Sequence, residues 1–148
     1  MTVVAPPSYE DEASLYSLAT EYLHAAEILV ETPVTKVNVS LVTFYLLGHA
    51  AELLMKSCLH KAGVPLKELK FDIGHDLEQL VNKVQAVGLH PPLELPHILA
   101  LAGNYKEKST EYRQLKAMSS PPKDLLLQEV RALSFRVFND VAVWPSEA

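Results

Sequence analysis

The chain has a single cysteine, Cys58, among 148 residues, so no internal disulfide can close. A reducing compartment, the cytoplasm, is the expected setting. Glycine is scarce, at five. Neither a G-x-G-x-x-G loop nor the P-loop pattern occurs, which removes the common glycine cradles for phosphate. No spacing of Cys and His suits structural zinc. No apolar run approaches the ~20 residues that a membrane-spanning helix needs. Residues 1–12 hold no basic residue and no apolar signal core, so a secretory leader is not expected. No segment sustains the period-two alternation of a half-buried strand.

Lysine and arginine are missing altogether from residues 1–35, which carry six acids: Glu10, Asp11, Glu12, Glu21, Glu27 and Glu31. The remainder, with all 13 bases and the other 12 of the 18 acids, sums to +1. The total of −5 argues against general coating of nucleic acid by long-range attraction. The acidic opening stretch reads either as a solvated helix face or as a surface that pairs with bases elsewhere.

What is present is apolar residue at helical spacing. Hydrophobic residues make up 49% of the chain, enough for one domain with one core. A first helix is predicted from near Ser8 to Thr32, with Leu15, Leu18, Ala19, Tyr22, Ala25, Ala26 and Leu29 on its inner stripe and Asp11 and Glu12 in its first turn. Pro33 then ends it. A second helix is predicted over 36–62, with Leu41, Phe44, Tyr45, Gly48, Ala51, Met55 and Leu59 along one face and Gly63 as its stop. Residues 64–74 read as a connector. A third helix follows over 76–87, and a fourth over 93–105 in which Pro96 is a candidate for the true start. Residues 106–119 are polar and ambiguous, and a last helix runs from the Pro121-Pro122 break to about 143. The expected fold is all-α: one antiparallel up-and-down bundle of four to five helices over 1–148, with 1–8 and 144–148 as flexible tails. Two long helices joined by a short turn must lie antiparallel to bury their stripes together.

Tyr45, His49, Glu52 and Lys56 recur at i, i+4, i+7 and i+11, and so lie along one line of the second helix. One reading is a surface Glu–Lys pair with His49 at the bundle edge, worth a few tenths of a kcal/mol at roughly the usual i, i+4 value. The other is a polar groove that takes a ligand or a partner. His24-Ala-Ala-Glu27 and His49-Ala-Ala-Glu52 repeat the same four residues on consecutive helices, which raises a shared metal site. With the turn at Pro33 the two pairs differ in height by roughly 10 Å at ~1.5 Å per residue, which argues against it. Cys58, mid-helix among Met55, Leu59 and Ala62, reads as a small buried residue rather than a nucleophile. Residues 105–116 hold four bases, two acids and two tyrosines. They are the best candidate for nucleic-acid or phosphate contact, against a solvated helix end or loop.

The stretch from Leu46 to Leu59, then Gly63, then Gly74-His75-Asp76-Leu77 and Leu80, resembles HEPN domains (higher eukaryote and prokaryote nucleotide-binding). More narrowly, it resembles bacterial HEPN-like proteins, in which an Ala-x-Glu-Leu-x-x-Lys helix precedes a Gly-His-Asp-Leu helix start. Ala50, Glu52, Leu53, Lys56, Gly74, His75, Asp76 and Leu77 match that pattern. An Arg-Tyr element common in such proteins stands here in reversed order, as Tyr112-Arg113. The resemblance covers residues 40–116. It implies an all-α bundle, often a homodimer, with roles in RNA cleavage, toxin–antitoxin pairs, defence or nucleotide binding. Ribonuclease members use an Arg followed four to six residues later by His. Here the arginines are Arg113, Arg131 and Arg136 and the last histidine is His97, so that pair cannot be built.

The expectation is therefore a non-enzymatic HEPN-like binding or interaction module for a nucleotide, an RNA or a toxin–antitoxin type protein partner. No cofactor, metal or membrane is expected. The candidate site is Tyr45, His49, Glu52, Lys56, His75 and Asp76, with Tyr112 and Arg113 approaching it. His75 and Asp76 also have a plain structural reading: Asp76 caps the third helix, and His75 ties the connector to the second helix through Glu52. Two alternatives stay open. One is a degenerate ribonuclease or nucleotide-modifying enzyme using His49, Glu52 and His75. The other is a purely structural helical subunit recognised through its acidic first helix.

Overall fold

The computed structural model describes residues 11–31, 40–89, 91–106 and 121–141, and most of these are helical, with no strand among them. The elements are α1 (Glu12–Glu31), α2 (Ser40–Lys61), α3 (Leu77–Lys83), α4 (Pro96–Lys106) and α5 (Lys123–Val141). Two single π-helical turns, Glu68–Ile73 and Val84–Gly88, complete the set. The all-α bundle expected from the sequence is what forms. Among the described residues no helix is long and apolar enough to cross a membrane.

Helix ends follow local chemistry. Asp11 caps α1, its Oδ1 accepting from Ser14 N at 2.7 Å; Ser8, the predicted cap, lies outside the described residues. Gly63 adopts φ 105, a left-handed conformation that suits glycine, and closes α2. Pro96 is the first residue of α4, where its missing N–H costs nothing. The connector 64–74 departs from expectation by containing the first π-helical turn, and the predicted third helix tightens to α3 and then switches to the second. A π-turn inserts one extra residue per turn and leaves no mark in an apolar period that a connector or short helix can show.

Side-chain pairings give the directions. His60 Nε2 lies 3.6 Å from Glu12 Oε2, and the Tyr22 and His49 rings meet at 4.4 Å, so α1 and α2 are antiparallel. Tyr16 meets Phe138 while Glu27 pairs with Arg131, so α5 is antiparallel to α1 and parallel to α2. The buried core runs from Ala19 and Leu23 of α1 through Leu47, Leu54 and Leu59 of α2. It continues through Leu77 and Leu80 of α3 and Ile98 and Leu101 of α4 to Leu126, Leu133 and Val137 of α5. α2 is central: every residue from Ala50 to Leu59 is buried. The single face read from the sequence is therefore only part of what α2 buries, since a helix surrounded on all sides shows little amphipathic contrast.

The register corrects one expectation. The Glu12–His60 and Tyr22–His49 pairings set His24 within two residues of the level of His49, roughly 3 Å along the helix. Height therefore does not separate the two His-Ala-Ala-Glu repeats; direction does. The His24 side chain is 74% exposed, and Glu27 is taken by Arg131 Nε at 2.6 Å, on the opposite flank of α1 from Tyr22 and His49.

Candidate functional site

Lys56 of the predicted stripe and His75, from the turn before α3, bond one carboxylate of that stripe, Glu52, and His49 and Tyr45 stand alongside. Glu52 is 2% exposed. Its Oε2 accepts from Lys56 Nζ at 2.7 Å, and its two oxygens lie 2.9 and 3.0 Å from His75 Nδ1. His49 Nδ1 stands 3.9 Å from Glu52 Oε1, beyond hydrogen-bond reach. The His49 ring is flanked by Tyr45, stacked at 5.6 Å, and by Tyr22 of α1, edge-on at 4.4 Å. The His49 and His75 rings are 6.5 Å apart.

The expectation of a surface salt bridge is overturned. Lys56 and Glu52 have the favourable i, i+4 order, but α1 and the 64–76 segment close over them, and Lys56 is only 8% exposed. A buried pair gains from low local dielectric and costs desolvation, so it holds only when hydrogen bonding is good. Here the carboxylate accepts from both Lys56 and His75, which offsets that cost.

The position of His75 is built by its neighbours. Gly74 takes φ 58 and its N–H bonds Leu69 O at 3.1 Å, ending the π-turn abruptly. Asp76 then caps α3, its Oδ1 accepting from Gln79 N at 3.2 Å and its Oδ2 from Gln79 Nε2 at 2.9 Å. Between these fixed points His75 falls beside Glu52. Because an ionised carboxylate only accepts, the bond places a proton on Nδ1. The His75 side chain remains 57% exposed, while Glu52 beneath it is 3%.

Tyr45, His49, Glu52, Lys56 and His75 are thus brought together. Asp76 is adjacent but occupied in capping. Tyr112 and Arg113 lie outside the described residues, as does most of the 105–116 segment. Tyr22 completes the ring cluster and was read in sequence only as a core position of the first helix. Its role depends on the α1–α2 register, which no single-chain spacing encodes. Cys58 is buried at 2% and donates to Gly88 O at 3.1 Å, in keeping with a structural thiol. Burial, then the Asp140 carboxylate, push its pKa up to about 11, with Arg136 opposing. Among the described residues, no group of three His, Cys, Asp or Glu is arranged to hold a metal ion.

No family model, curated protein or solved structure matches this chain.

Proposed function

We propose that the chain is a HEPN-like binding module whose ligand site is the cluster over Glu52, and that the ligand is a nucleotide, free or within RNA. One observation carries the reading: a half-exposed imidazole, His75, is held on a buried carboxylate beside a layer of three further rings, Tyr22, Tyr45 and His49. A flat ring with polar edges suits such a surface, by stacking and by hydrogen bonding to an oriented imidazole. The Ala50-x-Glu52-Leu53-x-x-Lys56 and Gly74-His75-Asp76-Leu77 pieces of the resemblance converge on this cluster, which supports the family assignment. A cytoplasmic location fits the single buried thiol.

Titration of the chain with mononucleotides and a short single-stranded RNA, followed by heteronuclear NMR, tests the reading. Shifts of Tyr22, Tyr45, His49 and His75 are expected, and their loss in His75→Ala. If neither probe perturbs those residues, the ligand assignment falls.

The homodimer belongs to the same proposal. Phe135 and Phe138 are 68% and 45% exposed on α5, beside Tyr16 and Leu23 of α1. The acid and base at this face, Glu27 and Arg131, neutralise one another, so two copies meet there without charge repulsion. Light scattering is expected to give twice the chain mass, and Phe135→Glu to return it to the monomer.

The His75–Glu52 pair also favours a second reading, acid–base chemistry on a nucleotide. Nδ1 fixed on a carboxylate orients a ring for proton transfer. Activity on RNA or nucleotides that vanishes in both His75→Ala and His49→Ala would support it. Turnover unchanged in the double variant would remove it.

A further inference from the structure

Because α2 and α5 run parallel, their C-terminal ends lie at the same end of the bundle, and the second π-helical turn closes beside them at Gly88. A cavity of about 420 Å³ opens between these three elements. The Cys58 thiol is its most buried lining group, and Ala62 and Val87 give it apolar walls. Its polar lining is Lys61 from α2 with Asn139 and Asp140 from α5, all exposed.

Lys61 and Asp140 line this cavity from two different helices without meeting. Among the described residues, the side chains of Lys61, Asn139 and Asp140 make no hydrogen bond and no ion pair. The last turn of α5 contains Asp140 and no base. An acid there adds to the partial negative charge of a helix C-terminus, so the field beside Asp140 favours a cation. Arg136, one turn earlier, does not answer it, because its guanidinium donates to Pro91 O. The charge of Asp140 also reaches into the cavity, since that carboxylate, after burial, helps to hold the proton on Cys58. A plain cation drawn to Asp140 would meet Lys61, and a plain anion drawn to Lys61 would meet Asp140. A molecule that carries both charges a few bonds apart answers both. Roughly 150 Å³ is enough to enclose a six-carbon ring, so about 420 Å³ has room for a solute the size of leucine and for the water that an open site keeps. We propose that this cavity binds a free α-amino acid with an aliphatic side chain, its ammonium on Asp140, its carboxylate on Lys61 and its side chain against Ala62 and Val87. Asn139, next to Asp140 in the chain, adds a donor and an acceptor. The proposal does not depend on the nucleotide site.

Titration of the full chain with leucine, glycine, leucinamide and N-acetylleucine, followed by heteronuclear NMR, tests this. Leucine is expected to shift the backbone signals of Lys61, Ala62, Gly88 and Asp140, and to bind more tightly than glycine because it buries more apolar surface. Leucinamide lacks the carboxylate and N-acetylleucine lacks the ammonium, and each is expected to bind about tenfold more weakly, the usual effect of losing one charged hydrogen bond. Two exposed changes that keep the fold assign the ends. Asp140→Asn is expected to weaken leucine and leucinamide while leaving N-acetylleucine unchanged. Lys61→Met is expected to weaken leucine and N-acetylleucine while leaving leucinamide unchanged. The proposal is overturned if leucine perturbs none of these residues, if glycine binds as tightly, or if both variants bind leucine as the parent does. His75→Ala is expected to leave leucine affinity unchanged, which separates this cavity from the nucleotide site.

Discussion

His75 Nδ1 lies 2.9 Å from Glu52 Oε1 across 23 residues of chain, joining the turn before α3 to the middle of α2. The contact adds a polar tie to the buried Leu69 and Ile73 in holding this segment to the most buried helix of the bundle. It also makes Glu52 the common partner of a lysine and a histidine, so its removal should be felt by both.

Glu52→Ala leaves the Lys56 ammonium buried without its counter-charge. The expected loss is about 3–5 kcal/mol, the usual cost of breaking a buried pair from one side. Replacing both partners, as Glu52→Leu with Lys56→Met, removes the uncompensated charge and should recover most of that loss. Urea unfolding of the two variants beside the parent checks this. Equal stability of parent and Glu52→Ala would mean that the pair is solvated rather than buried.

Asp76→Ala tests the other anchor of His75. The Asp76 carboxylate satisfies the Gln79 N–H in the first turn of α3, and loss of such a cap costs about 1 kcal/mol. Asp76→Asn keeps an oxygen at that position and should cost a few tenths, in line with the similar capping strength of the two residues. Thermal unfolding should rank the parent above Asp76→Asn, and Asp76→Asn above Asp76→Ala.

The parts that could be read from the sequence were those written in local terms. Asp76 as a cap, Gly63 as a stop and Pro96 as a helix start each depend on a few neighbouring residues, and each stands in the structure. The line Tyr45, His49, Glu52, Lys56 follows from helical period alone. Burial of Glu52 and Lys56 was not legible, because it depends on what α1 and the 64–76 segment lay over them. The same holds for Tyr22, whose contact with His49 is set by helix-pair register. The register itself was misjudged by centring the hairpin on Pro33, since a proline marks where a helix stops and not where the chain reverses. The π-turns at Glu68–Ile73 and Val84–Gly88 leave no compositional signal that separates them from a loop or an α-turn.

Gly88 packs closely against Cys58 and Val84. A methyl placed there would stand 3.1 Å from Cys58 Sγ and 3.3 Å from Val84 Cβ. Gly88→Ala should therefore destabilise by about 1–3 kcal/mol through overpacking. Cys58→Ala removes the nearer obstacle, so the double variant should lose less than the two single losses added, by at least about 0.5 kcal/mol. A double-mutant cycle in urea measures the coupling, and strict additivity would place the strain at Val84 instead.

Cys58 supplies a prediction with a definite pH window. Its pKa is pushed from the ordinary 9.0 up to about 11, first by burial and next by Asp140, with Arg136 pulling the other way. A native pKa above the unfolded one means that the native state keeps its proton longer. Below pH 9 both states are protonated and the contribution to stability is fully present. Between pH 9 and about 11 the unfolded thiol ionises while the native one does not, so that contribution is progressively lost. Cys58→Ala lacks the group. The difference in unfolding free energy between parent and variant should therefore be constant from pH 7 to 8.5 and shift against the parent above it. Urea titrations of both chains under reductant give that difference directly, with other titrating groups cancelling. The same argument governs reactivity, because the thiolate is the nucleophile. Iodoacetamide at pH 8.5 should label the native chain far more slowly than the urea-unfolded one; equal rates would show that neither burial nor Asp140 holds the proton on Cys58.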